Sequence, residues 1–180
     1  HISGQFNAEL DAMKNHLLEM GGQVEAQVGR ALEALRSRDS ALAEDVIATD
    51  DDINAMEVRI DEECSRILAR RQPAASDLRL VLSVAKCTTD LERVGDEAVK
   101  IARQALKLTE LPPSPSNYAE LRHIGRHVAG MLREALDAFA RLDVDRAIEV
   151  VVDDGSVDSE YDSAIRSLVT FMMEDPRNIS

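Results

Sequence analysis

The chain has 180 residues, a formal net charge of −13 at pH 7, 3% aromatic residues and no tryptophan. So acidic a chain is a poor partner for nucleic acid or an anionic membrane, because both require basic residues that neutralise phosphate. Metal ions and basic protein surfaces are favoured instead. No apolar run approaches the ~20 residues that span a bilayer, so direct membrane insertion is not expected.

The composition and the spacing of apolar residues predict an all-α protein. Good helix formers dominate, strand-favouring residues are few, and apolar residues recur every three or four positions. Polar and proline-containing breaks divide the chain. In chain order we predict helices at about 5–36, 40–70, 77–109, 117–141 and 144–174. Asp39 or Ser40, Ser76 and Asp143 are the expected N-caps of the second, third and fifth helices.

An internal repeat organises these helices. Residues 17–50 and 121–154, offset by 104, are identical at 10 of 34 positions without a gap. A repeat of this kind predicts the same structural unit twice. We therefore predict two tandem three-helix bundles, residues 1–110 and 117–180, joined by a proline-rich linker at 111–116.

The offset leaves the second bundle incomplete. It places the start of a sixth helix at residue 180, the last one, so this helix is absent from the chain. We expect the intact protein to continue for about 35 residues and to cover an apolar stripe on the fifth helix. An open stripe of this kind marks an association site, so a homodimer is expected. Its members are Val150, Val157, Tyr161, Leu168 and Met172.

Acidic residues on the second helix form a first candidate site. Asp50, Asn54 and Glu57 follow helical spacing on one face, beside apolar residues. In the second copy Asp154 and Asp158 occupy the corresponding region. The stretch 153–156 allows a turn, because it contains a glycine, but the repeat favours a continuous helix.

The third helix carries the most informative pair. Glu92 and Asp96 are four residues apart, so their carboxylates lie on one helix face beside a predicted apolar stripe. Two such carboxylates repel each other, and this repulsion is reduced either by contact with water or by a bound cation. Oxygen ligands suit Mg, Mn, Ca or Fe, although a solvated helix face has the same spacing. The stripe consists of Val84, Leu91, Gly95, Ala98, Ala102 and Ala105.

Residues 90–102, with the sequence DLERVGDEAVKIA, resemble the signature of the PhoU family of bacterial phosphate-signalling regulators. Glu97 stands where that family usually has His, and Lys100 where it has Asn. The resemblance implies a cytoplasmic adaptor rather than an enzyme, which represses the phosphate-starvation response. Its implied partners are the ATPase subunit of a phosphate ABC transporter and the PAS region of a sensor histidine kinase.

The resemblance also implies metal sites built from facing acid pairs on two helices of each bundle. Glu92 and Asp96 match the third-helix pair. Asp50 matches the first acid of the second-helix pair, with Asn54 in place of the second. The residues expected to bind metal are Asp50, Asn54, Glu57, Glu92, Asp96, Asp154 and Asp158. The metal is left open among Mg, Mn, Fe and Zn.

Two other classes fit the same sequence. A helical interaction module without metal is one alternative. A ferritin-like carboxylate protein is the other, but it needs a second Glu-x-x-His besides Glu120 and His123. His123 and His127 have the spacing of a two-His metal face but lack the accompanying Glu, so we interpret them as surface histidines. Cys64 and Cys87 lie on apolar stripes and are predicted to be buried, reduced thiols.

Overall fold

The computed structural model describes residues 2–112 and 119–174, and all regular structure in these ranges is α-helical. The all-α prediction is therefore confirmed. The predicted linker begins with Leu111 and Pro112, whereas its residues 113–116 and the predicted start of the fourth helix at 117 lie outside the described residues. The helices are α1 (Ile2–Ser37), α2 (Ser40–Arg71), α3 (Ala75–Thr109), α4 (Ala119–Arg141) and α5 (Val144–Glu174).

The chain divides into two compact units, His1–Pro112 and Pro113–Ser180. In unit 1 each of α1, α2 and α3 packs against the other two. The predicted α3 stripe is buried throughout its length. Burial of each large apolar side chain stabilises such a bundle by roughly 1.5–3 kcal/mol. The fully enclosed side chains include Met13, Leu17, Met20, Ile53, Ile60 and Val84.

The connection between α1 and α2 is very short, and its geometry explains why. Arg38 has a φ of 55°, the left-handed conformation that ends many helices. The Asp39 amide then donates back to the Ala34 carbonyl at 3.1 Å. The Asp39 carboxylate accepts from the Leu42 amide at 3.0 Å, which confirms Asp39 as the N-cap of α2.

The connection between α4 and α5 repeats this geometry at the predicted offset. Leu142 has a φ of 53°. The Asp143 amide donates to the Ala138 carbonyl at 2.9 Å. The Asp143 carboxylate accepts from the Arg146 amide at 3.0 Å. The sequence repeat is therefore also a repeat of hydrogen bonds.

The predicted cap of α3 is wrong. The helix begins at Ala75, its N-cap is Ala74, and no side chain caps it. The Ala74 carbonyl accepts from the Asp77 amide at 3.2 Å, so Ser76 lies within the first turn, where its side chain is not placed to cap the helix. Asp77 in this first turn places negative charge near the positive end of the helix dipole.

Unit 2 is a pair of packed helices with a thin core. Ala138 is the one fully buried residue among its described positions, 119–174. Of the predicted α5 stripe, Val150, Val157 and Met172 are half-buried, whereas Tyr161 and Leu168 are exposed. The helix α5 runs without a break through residues 153–156, so the prediction of a continuous helix there is confirmed. Within the described ranges, no helix is both long enough and apolar enough to cross a membrane.

Candidate functional site

The acidic residues of α2 and α3 meet where the two helices pack around Gly95. A Cβ atom on Gly95 would lie 3.6 Å from Ile53 Cγ2 and 3.9 Å from Asp50 Oδ1. Both are ordinary van der Waals distances, whereas the same Cβ would lie only 3.1 Å from Gln27 Oε1 of α1, so the absence of a side chain at Gly95 makes room for the Gln27 amide. Glu92 and Asp96 flank Gly95 along α3, so this seam brings the carboxylates of both helices to one place.

The half-buried Glu92 side chain experiences this concentration of charge. Burial raises the pKa of its carboxyl, and the neighbouring carboxylates of Asp96, Glu57 and Asp50 raise it further. Arg93 acts in the opposite direction and lowers this pKa. Excess negative charge at this seam is the electrostatic signature of a place that favours a cation.

The basic side chains nearby pair with other acids. Arg93 lies 3.9 Å from Asp90, and Lys100 lies 2.7 Å from Glu97. Both are exposed pairs three residues apart on α3, an arrangement that contributes little to stability. Arg93 and Lys100 also interact electrostatically with Glu92 and Asp96, so they offset part of the negative charge at the seam between α2 and α3 but leave an excess of carboxylates there.

Gln27 of α1 also takes part in this site and is not among the residues predicted from the sequence. Its side chain is 0% exposed. Its Nε2 donates to the Val46 carbonyl and to Asp50 Oδ1, each at 3.4 Å. Asn54 Nδ2 donates to the other oxygen of the same carboxylate, Asp50 Oδ2, at 3.4 Å. The Gln27 Oε1 atom is buried and has no hydrogen-bond partner.

The sequence did contain a signal for Gln27. It occupies a position on the buried stripe of α1, where every other member is apolar, so a polar residue there is out of pattern. This stripe runs at alternating spacings of three and four through Leu10, Met13, Leu17, Met20, Val24, Gln27, Ala31 and Ala34.

The predicted metal-binding residues fall into two groups. Five of them, Asp50, Asn54, Glu57, Glu92 and Asp96, belong to α2 and α3 of unit 1. The other two lie on α5 of unit 2 and are exposed, namely Asp154 and Asp158. As the side chains stand, residues 2–112 and 119–174 contain no group of three or more His, Cys, Asp or Glu that could hold a metal ion. The donor chemistry at Gly95 nevertheless suits a hard cation, since every candidate ligand atom is a carboxylate or amide oxygen.

His127 of α4 lies in a second charged cluster, in unit 2. Its Nε2 is 2.7 Å from Asp153 and its Nδ1 is 3.0 Å from Glu160, both on α5. His123 Nε2 lies 3.5 Å from the same Glu160 carboxylate. The His127 ring donates hydrogen bonds to the Asp153 and Glu160 carboxylates, and these bonds raise its pKa. The interpretation of His127 as a surface residue missed these partners, which the seven-residue spacing of Asp153 and Glu160 on one face of α5 could have suggested.

The two cysteines are free thiols. Cys64 is buried, its Sγ lies 3.6 Å from Met13 Sδ, and burial raises its pKa to about 11. Cys87 is half-buried rather than fully buried, and burial raises its pKa as well. A raised pKa keeps a thiol protonated and unreactive, which agrees with a packing role for both.

Comparison with known protein families gives the PhoU domain, matched twice, over residues 17–105 and 121–180. Each match begins where one copy of the internal repeat begins, at residue 17 and at residue 121. The phosphate-specific transport system accessory protein PhoU homolog of Pseudomonas putida is 60% identical over 180 residues, which is 100% of this chain and 70% of that protein. The accessory protein PhoU of Escherichia coli K12 is 49% identical over 179 residues, which is 99% of this chain and 74% of that protein.

Two solved structures have the same fold. The crystal structure of PhoU from Pseudomonas aeruginosa matches with a TM-score of 0.93 at 60% identity, covering 97% of this chain and 83% of that one. The phosphate transport system regulatory protein PhoU from Streptococcus pneumoniae matches with a TM-score of 0.86 at 32% identity, covering 94% of this chain and 80% of that one. The signature at residues 90–102, the doubled domain match and these structures agree, and the chain belongs to the PhoU family.

Proposed function

We propose that this protein is an accessory regulator of a phosphate transport system, acting by binding other proteins rather than by catalysis. Membership of the PhoU family carries this proposal, since the relatives are named as accessory or regulatory proteins of phosphate transport. The physical form of the molecule agrees with it. Unit 1 is a three-helix bundle in which each helix packs against the other two. The net charge of −13 favours binding to basic surfaces on a partner protein.

Its partners in this proposal are the ATPase subunit of a phosphate ABC transporter and the PAS region of a sensor histidine kinase, both reached from the cytoplasm. The protein acts as a negative regulator and forms a homodimer. Exposed apolar residues on α5, including Val151, Val152 and Met173, offer surface for such association.

Repression in cells tests this function. In a bacterium whose own PhoU has been deleted, expression of this protein should restore repression of a phosphate-starvation reporter under high phosphate. Failure to repress, with the protein present at normal levels, would contradict the proposal. Co-purification with the transporter ATPase subunit and with the kinase distinguishes the two proposed contacts.

We further propose that the seam between α2 and α3 takes up a cation, with Asp50, Glu92 and Asp96 as its main ligands and Glu57 and Asn54 beside them. The electrostatics of Glu92 support this, because a cation would relieve the repulsion that raises the pKa of its carboxyl. When bound, the cation supplies a positive charge that joins the two helices. Asp154 and Asp158 form the corresponding acid pair of unit 2 in this proposal.

Metal analysis separates this proposal from a metal-free interaction module. Elemental analysis of the purified protein should find Mg, Mn, Fe or Zn, and the double variant Glu92→Ala, Asp96→Ala should lose the metal. A strong chelator should lower the unfolding temperature of the wild-type protein, because a ligand that binds only the folded state stabilises it. No metal and no effect of the chelator would leave the metal-free module as the function.

A further inference from the structure

Gln27 is a polar residue at a buried position of unit 1 where an apolar residue would be expected. Its neighbours along the α1 stripe are apolar, and its side chain is 0% exposed. Its Oε1 atom is enclosed without a hydrogen-bond partner. An unpaired buried carbonyl lowers the stability of the folded state, so a methionine of similar size would fill this space more favourably. Because Gln27 lowers the stability of the bundle, we look for a functional role that would explain this residue at this position.

The orientation of the amide follows from its two acceptors. The Nε2 atom points to the Val46 carbonyl and to Asp50 Oδ1, each at 3.4 Å. Turning the amide over would place Oε1 against the same two acceptors and would create repulsion. The unpaired Oε1 is therefore the consequence of directing Nε2 at the Val46 carbonyl and the Asp50 carboxylate together.

The Asp50 carboxylate is consequently held on both of its oxygens. Gln27 donates to Oδ1, and Asn54 donates to Oδ2 at 3.4 Å. Oδ1 lies 3.9 Å from the position of a Cβ on Gly95, so the carboxylate lies beside the segment of α3 that carries Glu92 and Asp96. The other α2 carboxylate of the site, Glu57, has no comparable pair of amide donors in the described structure.

We infer that Gln27 is a positioning residue for the cation site between α2 and α3: its amide orients the Asp50 carboxylate toward α3 before the cation binds. This inference rests on the metal site proposed above. Gln27 itself does not touch the cation. It acts through Asp50. Because Gln27 already restricts the conformations of the Asp50 carboxylate, less conformational entropy is lost when the cation binds.

The test compares Gln27→Met with Gln23→Met in the full chain. The first variant keeps the side-chain volume but removes both the donor to Asp50 and the unpaired Oε1. Gln23 is exposed one helical turn earlier on α1, so the second variant is a control for an added methionine. Two quantities are measured for each protein: the Mn²⁺ dissociation constant by calorimetry, and the unfolding temperature of the metal-free protein.

We expect Gln27→Met to bind Mn²⁺ about 10-fold or more weakly, the usual loss when a residue that orients a ligand is removed. The metal-free variant should unfold at the same temperature or higher, because the buried unpaired carbonyl is gone. Gln23→Met should match the wild type in affinity. A weaker site in a more stable protein is a combination that a purely structural role of Gln27 does not produce.

Three results overturn the inference. Equal Mn²⁺ affinity in Gln27→Met and wild type removes the positioning role but leaves the metal site intact. Weaker binding together with a lower unfolding temperature of the metal-free variant shows a structural role only. No Mn²⁺ binding by the wild type overturns both this inference and the proposed metal site. If Gln27→Met does not fold, Gln27→Leu is judged by the same criteria.

Discussion

His127 is held at both ring nitrogens by carboxylates of α5, and this determines how unit 2 responds to pH. A ring that donates from both nitrogens is protonated, and the hydrogen bonds to Asp153 and Glu160 raise its pKa above 6.5. At pH values below the pKa that His127 has in the unfolded chain, the pairing therefore makes its full contribution to the stability of the folded unit. This contribution is lost as pH rises through the raised pKa of the folded state.

An NMR titration of the His127 ring measures this effect. We expect its midpoint above the ordinary value of 6.5. The double variant Asp153→Asn, Glu160→Gln should bring the midpoint down, because neutral amides stabilise the imidazolium less than carboxylates do. A wild-type midpoint at or below the ordinary value would contradict the hydrogen-bonded geometry.

Gly95 shows how one missing side chain shapes the seam between α2 and α3. Replacing an exposed helical glycine with alanine stabilises a protein by up to about 1 kcal/mol. At Gly95 the new Cβ would lie 3.1 Å from Gln27 Oε1, so the buried amide must shift. We therefore expect Gly95→Ala to gain less stability than this, or to lose some.

Gly29→Ala is the matched control for Gly95→Ala. It lies in α1, and no neighbouring atom comes within 4 Å of its Cβ position. Chemical denaturation of both variants gives the comparison. An equal gain in stability at both positions would show that the space around Gly95 is not restricted.

At the scale of the helices, side-chain caps decide where some elements begin but not others. Asp39 caps α2 with a hydrogen bond to the Leu42 amide, whereas α3 starts without any side-chain cap. Asp39→Ala should therefore destabilise unit 1 by about 1 kcal/mol. Ser76→Ala should change its stability by less than about 0.5 kcal/mol, as for an ordinary surface site. Denaturant titrations measure both, and an equal loss at the two positions would contradict the assigned caps.

The sequence predicts the features of these helices that depend on local chemistry. Asp39 and Asp143 are recognisable as caps because each stands between two apolar-periodic segments. Ser76 does not act as a cap because α3 begins one residue earlier, at Ala75, which places Ser76 inside the first turn. The partners of Gln27 and His127 were not predictable in this way, since they depend on which helix faces they meet across the bundle.

At the scale of the whole molecule, the two units differ in how completely they bury their apolar residues. Unit 1 encloses long side chains from three helices, among them Met13, Ile53 and Val84. In the described part of unit 2, long apolar side chains such as Ile148 and Val169 remain exposed. Stability of a small domain follows from the apolar surface that it buries, so unit 1 should be the more stable of the two.

Separate expression of the two units tests this difference. We expect a fragment of residues 1–112 to unfold cooperatively as a monomer. A fragment of residues 113–180 should unfold without a sharp transition or should self-associate, because α4 and α5 expose large apolar residues such as Val128 and Ile148. Circular dichroism and sedimentation velocity make both measurements. A cooperatively folded, monomeric 113–180 fragment would contradict this expectation.

The matching turns at Arg38 and Leu142 have a consequence for the order of folding. Each joins two long helices with a minimal loop, so contacts between α1 and α2, or between α4 and α5, form with little loss of chain entropy. Helical hairpins of this kind assemble early, and the connection between α2 and α3 is also short, since only three residues separate Arg71 from Ala75. Helix-weakening substitutions at buried positions near these connections, such as Ala34→Gly in α1 and Ala102→Gly in α3, should therefore both slow refolding. Stopped-flow kinetics tests this, and an effect of both variants on the unfolding rate alone would contradict early assembly of the hairpins.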